Sequence, residues 1–366
     1  MNVVRGHRVD ALIRACEGAA SELALFEAVS DQLRELVPFD GAAWFATDPA
    51  TLLAAGAARV ENVERGVCAT YWEREYLVED ALLFRDVARS SQGVATLFDV
   101  TGDRPADSAR YREYLAPQGY GDELRAAFRL GNTTWGVLDL YRDRVRTPFS
   151  KREREQIQQI APMVARALRA FAAARREPAA IGGAGTALFD DRGALMSFDA
   201  QAGRLFEEIG GGGWQAFPAA MTPVRAVTAR ATAVLRGRDR GPAATRLRSA
   251  AGRWISLRAS HLHGPDGSPG PTAVTVEPAR SEQIAPIMAA AYALTPREQQ
   301  VTRAVARGLS SHEIAVELFL SPHTVRDYLK TIFVKVGVTS RGELVATLFT
   351  ENHRDTAHET VDQVEW

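Results

Sequence analysis

The residues of this 366-residue chain that are best suited to chemistry lie near its C-terminus, among cations, hydroxyls and one carboxylate. Arg326, Asp327 and Lys330 span little more than one helical turn, so a helix would bring them to one side. Guanidinium and ammonium groups donate hydrogen bonds to base edges and phosphates, and neighbouring hydroxyls bind phosphates. The pattern therefore indicates nucleic-acid binding rather than catalysis.

A helix with a buried stripe must position these residues. Ser321 and Pro322 supply the cap and the first position of a helix predicted to end near Val336. Its apolar residues fall on one face at about 100° per residue: Val325, Leu329, Ile332, Phe333 and Val336. The other side carries polar residues: His323, Asp327 and Lys330, flanked by Thr324, Arg326, Thr331 and Lys335.

Two shorter helices are predicted before this one. Thr295, Pro296 and Glu298 combine a capping box with proline at the first helical position, and that helix stops at Gly308. The next helix is indicated by apolar residues at helical spacing, which include Ile314. Two short helices around a tight turn have the spacing of a helix-turn-helix.

Residues 294–348 resemble the LuxR-type helix-turn-helix family. The matching segments are residues 294–298, 308–310, 313–315, 320–326 and 335–341, in register. The resemblance covers about a seventh of the chain. It implies an all-α domain at residues 294–350 that binds double-stranded DNA as a homodimer, with a last helix at about 340–349 that dimerises.

The resemblance also implies DNA contacts by position. The residues that would face the bases are Arg326, Asp327 and Lys330, and those near the backbone are Thr324, Tyr328, Lys335 and Arg341. The remaining candidate contacts are Ser310, His312, His323 and Thr331. Ser311 and His312 replace a common Asn-Lys pair, which removes one phosphate-binding cation. Residues 290–350 hold seven Lys/Arg and five Asp/Glu, a net +2, so binding must rely on a few placed contacts.

Composition restricts the rest of the chain. A length of 366 residues predicts two or three domains, and 46% hydrophobic residues suffice for packed cores. The net charge of −1 means that DNA affinity must be local. Cys16 and Cys68 are the only cysteines and no apolar run could span a bilayer, so a cytoplasmic protein with no membrane partner is expected.

Residues 1–177 present the element order of a GAF-like α/β sensor. The predicted elements are a helix over 8–37 that Gly18 can interrupt, strands over 41–46 and 52–60, a helix over 71–77, a strand over 93–100 and a 122–130/134–141 hairpin. Ser150 and Glu153 then form a capping box for a long helix. This order resembles a GAF domain over about residues 20–172, which implies a site for a small-molecule effector.

The long helix carries an apolar seam of Ile157, Ala161, Val164, Leu168 and Phe171, at alternating steps of four and three. Such a seam packs against a partner helix, either in a second subunit or within its own domain. The spacing leaves both alternatives open.

Residues 178–280 resemble a PAS domain. Strands are predicted near 187–189, 194–198, 245–249, 253–261 and 272–277, with helices at about 205–209 and 223–236. Linkers are predicted at 175–185 and 210–213, a connecting helix at 281–293, and a mostly disordered acidic tail at 351–366. The fold class is therefore multidomain α+β with a C-terminal all-α helix-turn-helix.

Catalytic and metal chemistry has little support in the sequence. The seven histidines leave residues 8–260 without one, so a catalytic triad, histidine-ligated haem or zinc site is not indicated there. His261 and His263 would share one face of a strand, either as a metal pair or as surface residues near a turn. Cys68 is either a thiol sensor or a buried structural cysteine. No enzymatic activity and no cofactor are predicted.

Aromatic residues of the GAF-like domain are candidates to line an effector pocket. They are Trp44, Tyr71, Trp72, Tyr76, Phe84 and Trp135, and the PAS-like domain offers Phe206, Trp214, Phe217 and Trp254. The sequence thus predicts a DNA-binding transcriptional regulator, with RNA polymerase as a further partner. The alternative is a protein-interaction scaffold whose helix-turn-helix has lost DNA binding.

Overall fold

The structure is a computed structural model that describes residues 2–64, 68–174, 183–210, 217–249 and 251–350. Its contacts divide the chain into two compact units. One unit holds two β-sheets and ends at Glu277, and the other consists mainly of the residues from Pro278 onward. The predicted linker residues 175–182, the glycine run 211–213 and the acidic tail lie outside the described residues.

Two helices, α1 (Asn2–Gly18) and α2 (Glu22–Leu36), occupy the region predicted to be helical over residues 8–37. The Ser21 backbone is extended, and its side chain accepts a hydrogen bond from the Ala24 amide at 3.2 Å. Such an N-cap begins a new helix, because it satisfies an amide of the first turn that has no helical partner. The helical region is therefore divided next to Gly18, the position at which the sequence allows an interruption.

The first sheet contains β1 (Gly41–Thr47), β2 (Ala54–Glu61), β3 (Val94–Thr96), β4 (Tyr120–Leu130) and β5 (Thr133–Asp143). The strand order is β2-β1-β5-β4-β3, and neighbouring strands are antiparallel. The predicted hairpin of β4 and β5 is confirmed. Its turn begins at Gly131, whose φ of +59° favours glycine.

Short helices follow β2 and β3: α3 (Cys68–Tyr76), α4 (Phe84–Arg89), α5 (Leu97–Thr101) and a π-helical turn at Tyr111–Leu115. The strand predicted over 93–100 was too long. It ends at Thr96, whose side chain caps α5 by accepting the Asp99 amide at 3.2 Å. The hydroxyl thus turns an extended segment into a helix start.

Helices cover both faces of this sheet. The long helix α6 (Lys151–Ala173) begins at the predicted capping box, where the Ser150 amide donates to the Glu153 carboxylate at 2.8 Å. Its residues Ile157, Ala161, Val164 and Leu168 are buried within the domain. A Cβ at Gly136 of β5 would lie 2.7 Å from Leu168 Cδ1, so glycine allows this approach. The seam is therefore used inside the domain.

The second sheet contains β6 (Gly185–Phe189), β7 (Leu195–Phe198), β8 (Ala244–Arg248), β9 (Trp254–His263) and β10 (Pro269–Pro278). Its order, β7-β6-β10-β9-β8, repeats that of the first sheet. Helices α7 (Ala200–Gly210) and α8 (Phe217–Leu235) lie between β7 and β8 in sequence. The predicted elements of residues 186–278 are confirmed, and the PAS-like assignment stays a prediction.

The two sheets are joined through the turn after β1. Asp48 is buried there, and its carboxylate accepts hydrogen bonds from Arg246 of β8 through Nε at 2.7 Å, Nη2 at 2.8 Å and the backbone amide at 2.9 Å. Thr245 donates its hydroxyl to the Ala54 carbonyl at 3.2 Å. Helix α8 also packs on β2 and α3. These contacts make the sheets one compact unit.

The second unit is helical: α9 (Ser281–Ala291), α10 (Pro296–Ala306), α11 (Ser311–Glu317), α12 (Pro322–Val336), α13 (Arg341–Val345) and a π-helical turn at Ala346–Thr350. The predicted connecting helix and the predicted end of α12 are confirmed. Helix α9 packs against the last π-helical turn. Across the described ranges, no helix combines the length and apolar character that crossing a membrane requires.

Candidate nucleic-acid interface

Local capping fixes each helix around the candidate interface. The side chains of Thr295, Ser310 and Ser321 accept hydrogen bonds from backbone amides at the starts of α10, α11 and α12. Each of these caps contributes about 1 kcal/mol of helix stability. Because a cap interacts with residues only three positions away, the sequence predicted the starts of α10 and α12 correctly.

The turn between α11 and α12 contains an unusual residue. Phe319 has a φ of +54°, a region that bulky residues seldom adopt, and its side chain is 95% exposed. Val316, one turn earlier on α11, is also exposed. Sequence reasoning had not singled out this apolar pair beside the helix-turn-helix.

Helix α12 has one buried and one exposed face. Val325, Leu329, Ile332 and Val336 are buried against the rest of the helical unit. The exposed side, called the open face of α12 here, consists of His323, Arg326, Asp327, Lys330, Thr331 and Val334. The predicted division of the helix is thus confirmed, with the base-facing candidates together on the exposed side.

Ion-pair contacts and one hydrogen bond orient the charged groups of the open face. Asp327 Oδ2 lies 3.0 Å from His323 Nδ1, and Asp327 Oδ1 lies 3.9 Å from Lys330 Nζ. Arg326 Nε donates to the Pro322 carbonyl at 3.3 Å, which draws the guanidinium toward the start of the helix. Exposed pairs of this kind contribute about 0–1 kcal/mol to stability, so they orient side chains more than they hold the fold.

Two of the predicted backbone-contacting cations are used inside the domain. Lys335 Nζ lies 2.7 Å from Glu298 Oε2 and 3.2 Å from the Ala293 carbonyl. Arg341 donates to the Leu309 carbonyl at 2.8 Å and to Ser311 Oγ at 2.6 Å. These side chains tie α12 and α13 to the helices before them. Their contact with DNA phosphates stays a prediction.

Replacing Lys335 with alanine is expected to destabilise the helical unit by about 1–2 kcal/mol, because the buried Glu298 carboxylate loses its cation. Burial alone would raise the pKa of Glu298, but the bonds from Lys335 and Thr295 outweigh it and hold that pKa below its ordinary value. The lowered pKa stabilises the fold above about pH 4.3, an effect lost as pH falls through the folded-state pKa. Chemical denaturation at pH 7 and pH 3 measures this.

Denaturation of Lys335→Ala, together with the salt dependence of its DNA binding, distinguishes two roles of Lys335. A structural tie predicts reduced stability with an unchanged salt dependence of DNA binding. A phosphate contact predicts a salt slope lowered by about one. Lys151→Ala, which removes an exposed lysine from α6, is the matched control.

The remaining candidate contacts differ in exposure. Ser310 caps α11 through its hydroxyl, and His312 is exposed beside it. Thr324 is half-buried, and its hydroxyl lies 2.8 Å from that of Ser321. Tyr328 is half-buried, between the two faces of α12. These residues border the open face rather than form its centre.

The predicted effector pocket is divided by the first sheet. Phe45 contacts Tyr71 and Trp72 of α3, with ring centroids 5.6 and 5.2 Å away. Trp44, the preceding residue, lies on the opposite face and packs between Phe26 and Phe128 at 5.8 and 5.9 Å. Successive residues of a strand point to opposite faces, so Trp44 does not share a pocket with Tyr71.

The face that carries Phe45, called the sensor face here, is covered by α3, α4 and the π-helical turn. Tyr76 stacks on Trp72 with centroids 6.0 Å apart, and Phe84 lies under the Arg125 guanidinium at 4.3 Å. Trp135 is buried. In the PAS-like region Phe206 and Trp254 are buried core residues. Trp214 and the Phe217 side chain lie outside the described residues.

The sensor face also holds five buried charged residues that the sequence reasoning missed. This charge cluster consists of Glu75, Arg110, Glu123, Arg125 and Asp139. Arg110 lies 2.8 Å from Glu123 and 3.0 Å from Asp139. Arg125 lies 2.7 Å from Glu75 and 3.3 Å from Asp139. A possible signal was the placement of Glu123 and Arg125 at alternate positions of an otherwise apolar strand.

The charge cluster contains three carboxyl groups and two guanidinium groups. Burial, together with neighbouring Glu123, raises the pKa of Asp139 well above its ordinary value. Burial would also raise the pKa of Glu123, but Arg110 and Arg125 lower it. Among the residues that the structure describes, four side-chain atoms of the cluster have no hydrogen-bond partner: Arg110 Nη1, Glu123 Oε2, Arg125 Nη2 and Asp139 Oδ1. Buried polar atoms of this kind need a partner other than these protein groups, which an ordered water, an ion or a polar ligand would supply.

A groove of about 490 Å³ lies between α1 and α6 and includes Cys16. Burial, with the nearby Glu17 carboxylate, raises the pKa of the Cys16 thiol to about 11, so little reactive thiolate forms. Cys68 begins α3, and its side chain lies outside the described residues.

His261 is held by hydroxyl groups rather than by a metal-like set of ligands. Its ring nitrogens each lie 3.2 Å from a threonine hydroxyl, Thr232 on one side and Thr272 on the other. Burial, then His263 and Arg236, lowers the pKa of His261. Within the described residues no three His, Cys, Asp or Glu side chains are grouped as a metal site would require.

Two regions of the chain match the models of known families. Residues 292–348 match the model of the bacterial regulatory proteins of the luxR family, and residues 21–168 match the GAF domain model. The chain thus joins an N-terminal GAF domain to a C-terminal helix-turn-helix domain of the luxR family.

Two curated relatives share the C-terminal region. A probable HTH-type transcriptional regulator, GfsR of Streptomyces halstedii, is 42% identical over 66 residues, 18% of this chain and 27% of the relative. A putative HTH-type transcriptional regulator of Mycobacterium bovis is 48% identical over 52 residues, 14% of this chain and 6% of the relative. The chain therefore spans less than a third of the length of either relative.

A solved structure can also be aligned with most of the chain. The crystal structure of Escherichia coli SdiA has a TM-score of 0.35 and 14% sequence identity. The alignment covers 94% of this chain and 98% of SdiA.

Proposed function

We propose that the protein is a transcriptional regulator that binds double-stranded DNA sequence-specifically through α12. The open face supports this role, because Arg326, Asp327 and Lys330 lie together there while apolar residues anchor the other side. The proposed site of action is the cytoplasm, where bacterial DNA lies. The two curated relatives are named as regulators, which agrees with this role.

The proposed DNA-binding form is a homodimer. Two copies of α12 would enter major grooves at half-sites about one helical turn apart. Because the buried seam of α6 is used within its own domain, the subunit contact is proposed at the C-terminal helices beyond α12, as the family resemblance implies. Sedimentation of the full-length protein with and without DNA measures the stoichiometry.

The GAF domain is proposed to bind a small-molecule effector or a partner on its sensor face. The unpaired atoms of the charge cluster and the surrounding aromatic rings support a ligand with polar groups. Binding of the ligand would alter the affinity for DNA only if the ligand binds one conformation of the chain more tightly than another. Binding to operator DNA, measured with and without a candidate ligand, tests this coupling.

Replacing Arg326 and Lys330 together with alanine is expected to abolish sequence-selective binding to the DNA upstream of the protein's own gene. Each base contact contributes about 1–3 kcal/mol, so the double substitution removes most of the discrimination. Binding of the full-length protein should be measured at two salt concentrations. Arg303→Ala, which removes an exposed arginine from α10, is the matched control. Equal selectivity in wild type and double mutant contradicts the assignment.

A second candidate function is a protein-interaction scaffold. The exposed Val316 and Phe319 favour a protein contact at the helix-turn-helix, since a large exposed aromatic is typical of interaction surfaces. RNA polymerase is the partner proposed if the protein also binds DNA. A wild-type protein that binds no DNA selectively, yet captures a partner only when Phe319 is intact, would establish the scaffold.

A further inference from the structure

Asp327 places a carboxylate in the middle of a surface proposed to approach DNA phosphates. Its side chain is 54% exposed, and exposed His323 and Lys330 lie on either side of it along the helix. A negative charge at this position repels the phosphate backbone unless it finds a hydrogen-bond donor in the complex. The position of Asp327 therefore requires a chemical reason.

Neighbouring side chains hold the carboxylate in place. Oδ2 lies 3.0 Å from His323 Nδ1, one turn before it, and Oδ1 lies 3.9 Å from Lys330 Nζ, nearly one turn after it. Both partners of the Asp327 carboxylate lie on α12 itself, before and after it in the sequence, so the carboxylate remains half exposed. The Lys330 ammonium also reduces the repulsion of this carboxylate from phosphates. Asp327 is thus oriented before DNA binds.

The chemistry of the major groove limits what a carboxylate can bind there. An ionised carboxylate only accepts hydrogen bonds, so guanine, which presents two acceptors at N7 and O6, is excluded. Adenine presents an amino donor beside the N7 acceptor, and that acceptor repels the second carboxylate oxygen. Cytosine presents its N4 amino group without an adjacent acceptor on the same base. Cytosine is therefore the preferred partner of Asp327.

Adjacent residues extend the pattern. Arg326 presents a guanidinium on the same open face, and arginine binds guanine O6 and N7 through two hydrogen bonds. Lys330 also donates to guanine in this groove. Consecutive residues of α12 thus offer groups complementary to guanine and to cytosine.

We propose that Asp327 reads the N4 amino group of a cytosine, so that each half-site contains a cytosine whose selection depends on this carboxylate. This inference rests on the proposed function, since it requires α12 to enter the major groove. Asp327 is then a specificity-determining residue, and Arg326 accounts for a guanine close to that cytosine in the half-site.

Selection from a random double-stranded DNA pool tests the proposal with the full-length protein. Wild type, Asp327→Asn and the control Glu317→Gln should be compared by sequencing the bound DNA. Asparagine fits adenine N6 and N7, so Asp327→Asn is expected to change the selected cytosine to adenine. Affinity for the cytosine-containing site should fall about tenfold, as loss of one base contact implies. Glu317→Gln removes an exposed carboxylate on α11 and should leave the selected base unchanged.

Other results overturn the proposal. An Asp327→Asn protein that still selects cytosine shows that another group reads that base. Uniformly tighter binding to all sequences, with the same base preference, shows that Asp327 only repels phosphates. If the wild type selects no sequence at all, the proposed DNA-reading function fails and this inference fails with it.

Discussion

Replacing Arg125 with alanine is expected to destabilise the GAF domain by about 3–5 kcal/mol, the cost of removing one partner from a buried ionic network. Arg125 is fully buried, and its Nη1 donates to Glu75 at 2.7 Å and to the Leu82 carbonyl at 2.6 Å. Its loss leaves three buried carboxyl groups beside the single cation Arg110. Those groups would be desolvated without compensation.

Urea denaturation followed by tryptophan fluorescence measures the effect of Arg125→Ala. Arg152→Ala, an exposed substitution on α6, is the matched control and should stay within about 0.5 kcal/mol of the wild type. A second variant, Arg125→Ala combined with Glu75→Gln, removes the guanidinium together with the carboxylate that lies 2.7 Å from it. Partial recovery of stability in this variant is expected. An Arg125→Ala protein as stable as the control contradicts the ionic network.

Replacing Asp48 with alanine is expected to separate the unfolding of the two sheets and to destabilise their association by about 3 kcal/mol. The Asp48 carboxylate accepts three hydrogen bonds from Arg246 and one from the Ala50 amide at 2.9 Å. Hydrogen bonds to charged groups contribute about 1.5–3 kcal/mol each, and removing the carboxylate leaves Arg246 partly desolvated.

Calorimetry of the full-length protein measures this separation. The wild type should unfold both sheets in one transition, whereas Asp48→Ala should show two, since the contact between them is weakened. Asp191→Ala, which removes an exposed carboxylate from the turn after β6, is the control. One shared transition in Asp48→Ala would mean that α8 alone is sufficient to couple the sheets.

Local interactions explain why the helical unit was predicted well. Each cap at Thr295, Ser310 and Ser321 joins residues three positions apart, and the buried stripe of α12 depends only on the helical repeat. The same reasoning overlooked Ser21, whose cap divides α1 from α2, because the apolar pattern continues across it.

Long-range pairing explains what was missed. Arg125 and Asp139 are cross-strand neighbours in β4 and β5, and Glu75 reaches them from α3. Trp44 was grouped with the aromatic rings of the sensor face by composition, although the pleat of β1 places it on the opposite side. Neither fact is encoded within a short window of sequence.

Short-range signals in the sequence were enough to predict the helix-turn-helix, the succession of strands along the chain and the residues of the open face, because caps and periodicity act over a few residues. Tertiary packing instead determines that Lys335 binds Glu298, that Arg341 binds the turn before α11, and that five titratable side chains meet beneath α3. Those partners lie far apart along the chain. Packing and burial, rather than local preference, determine which of them meet.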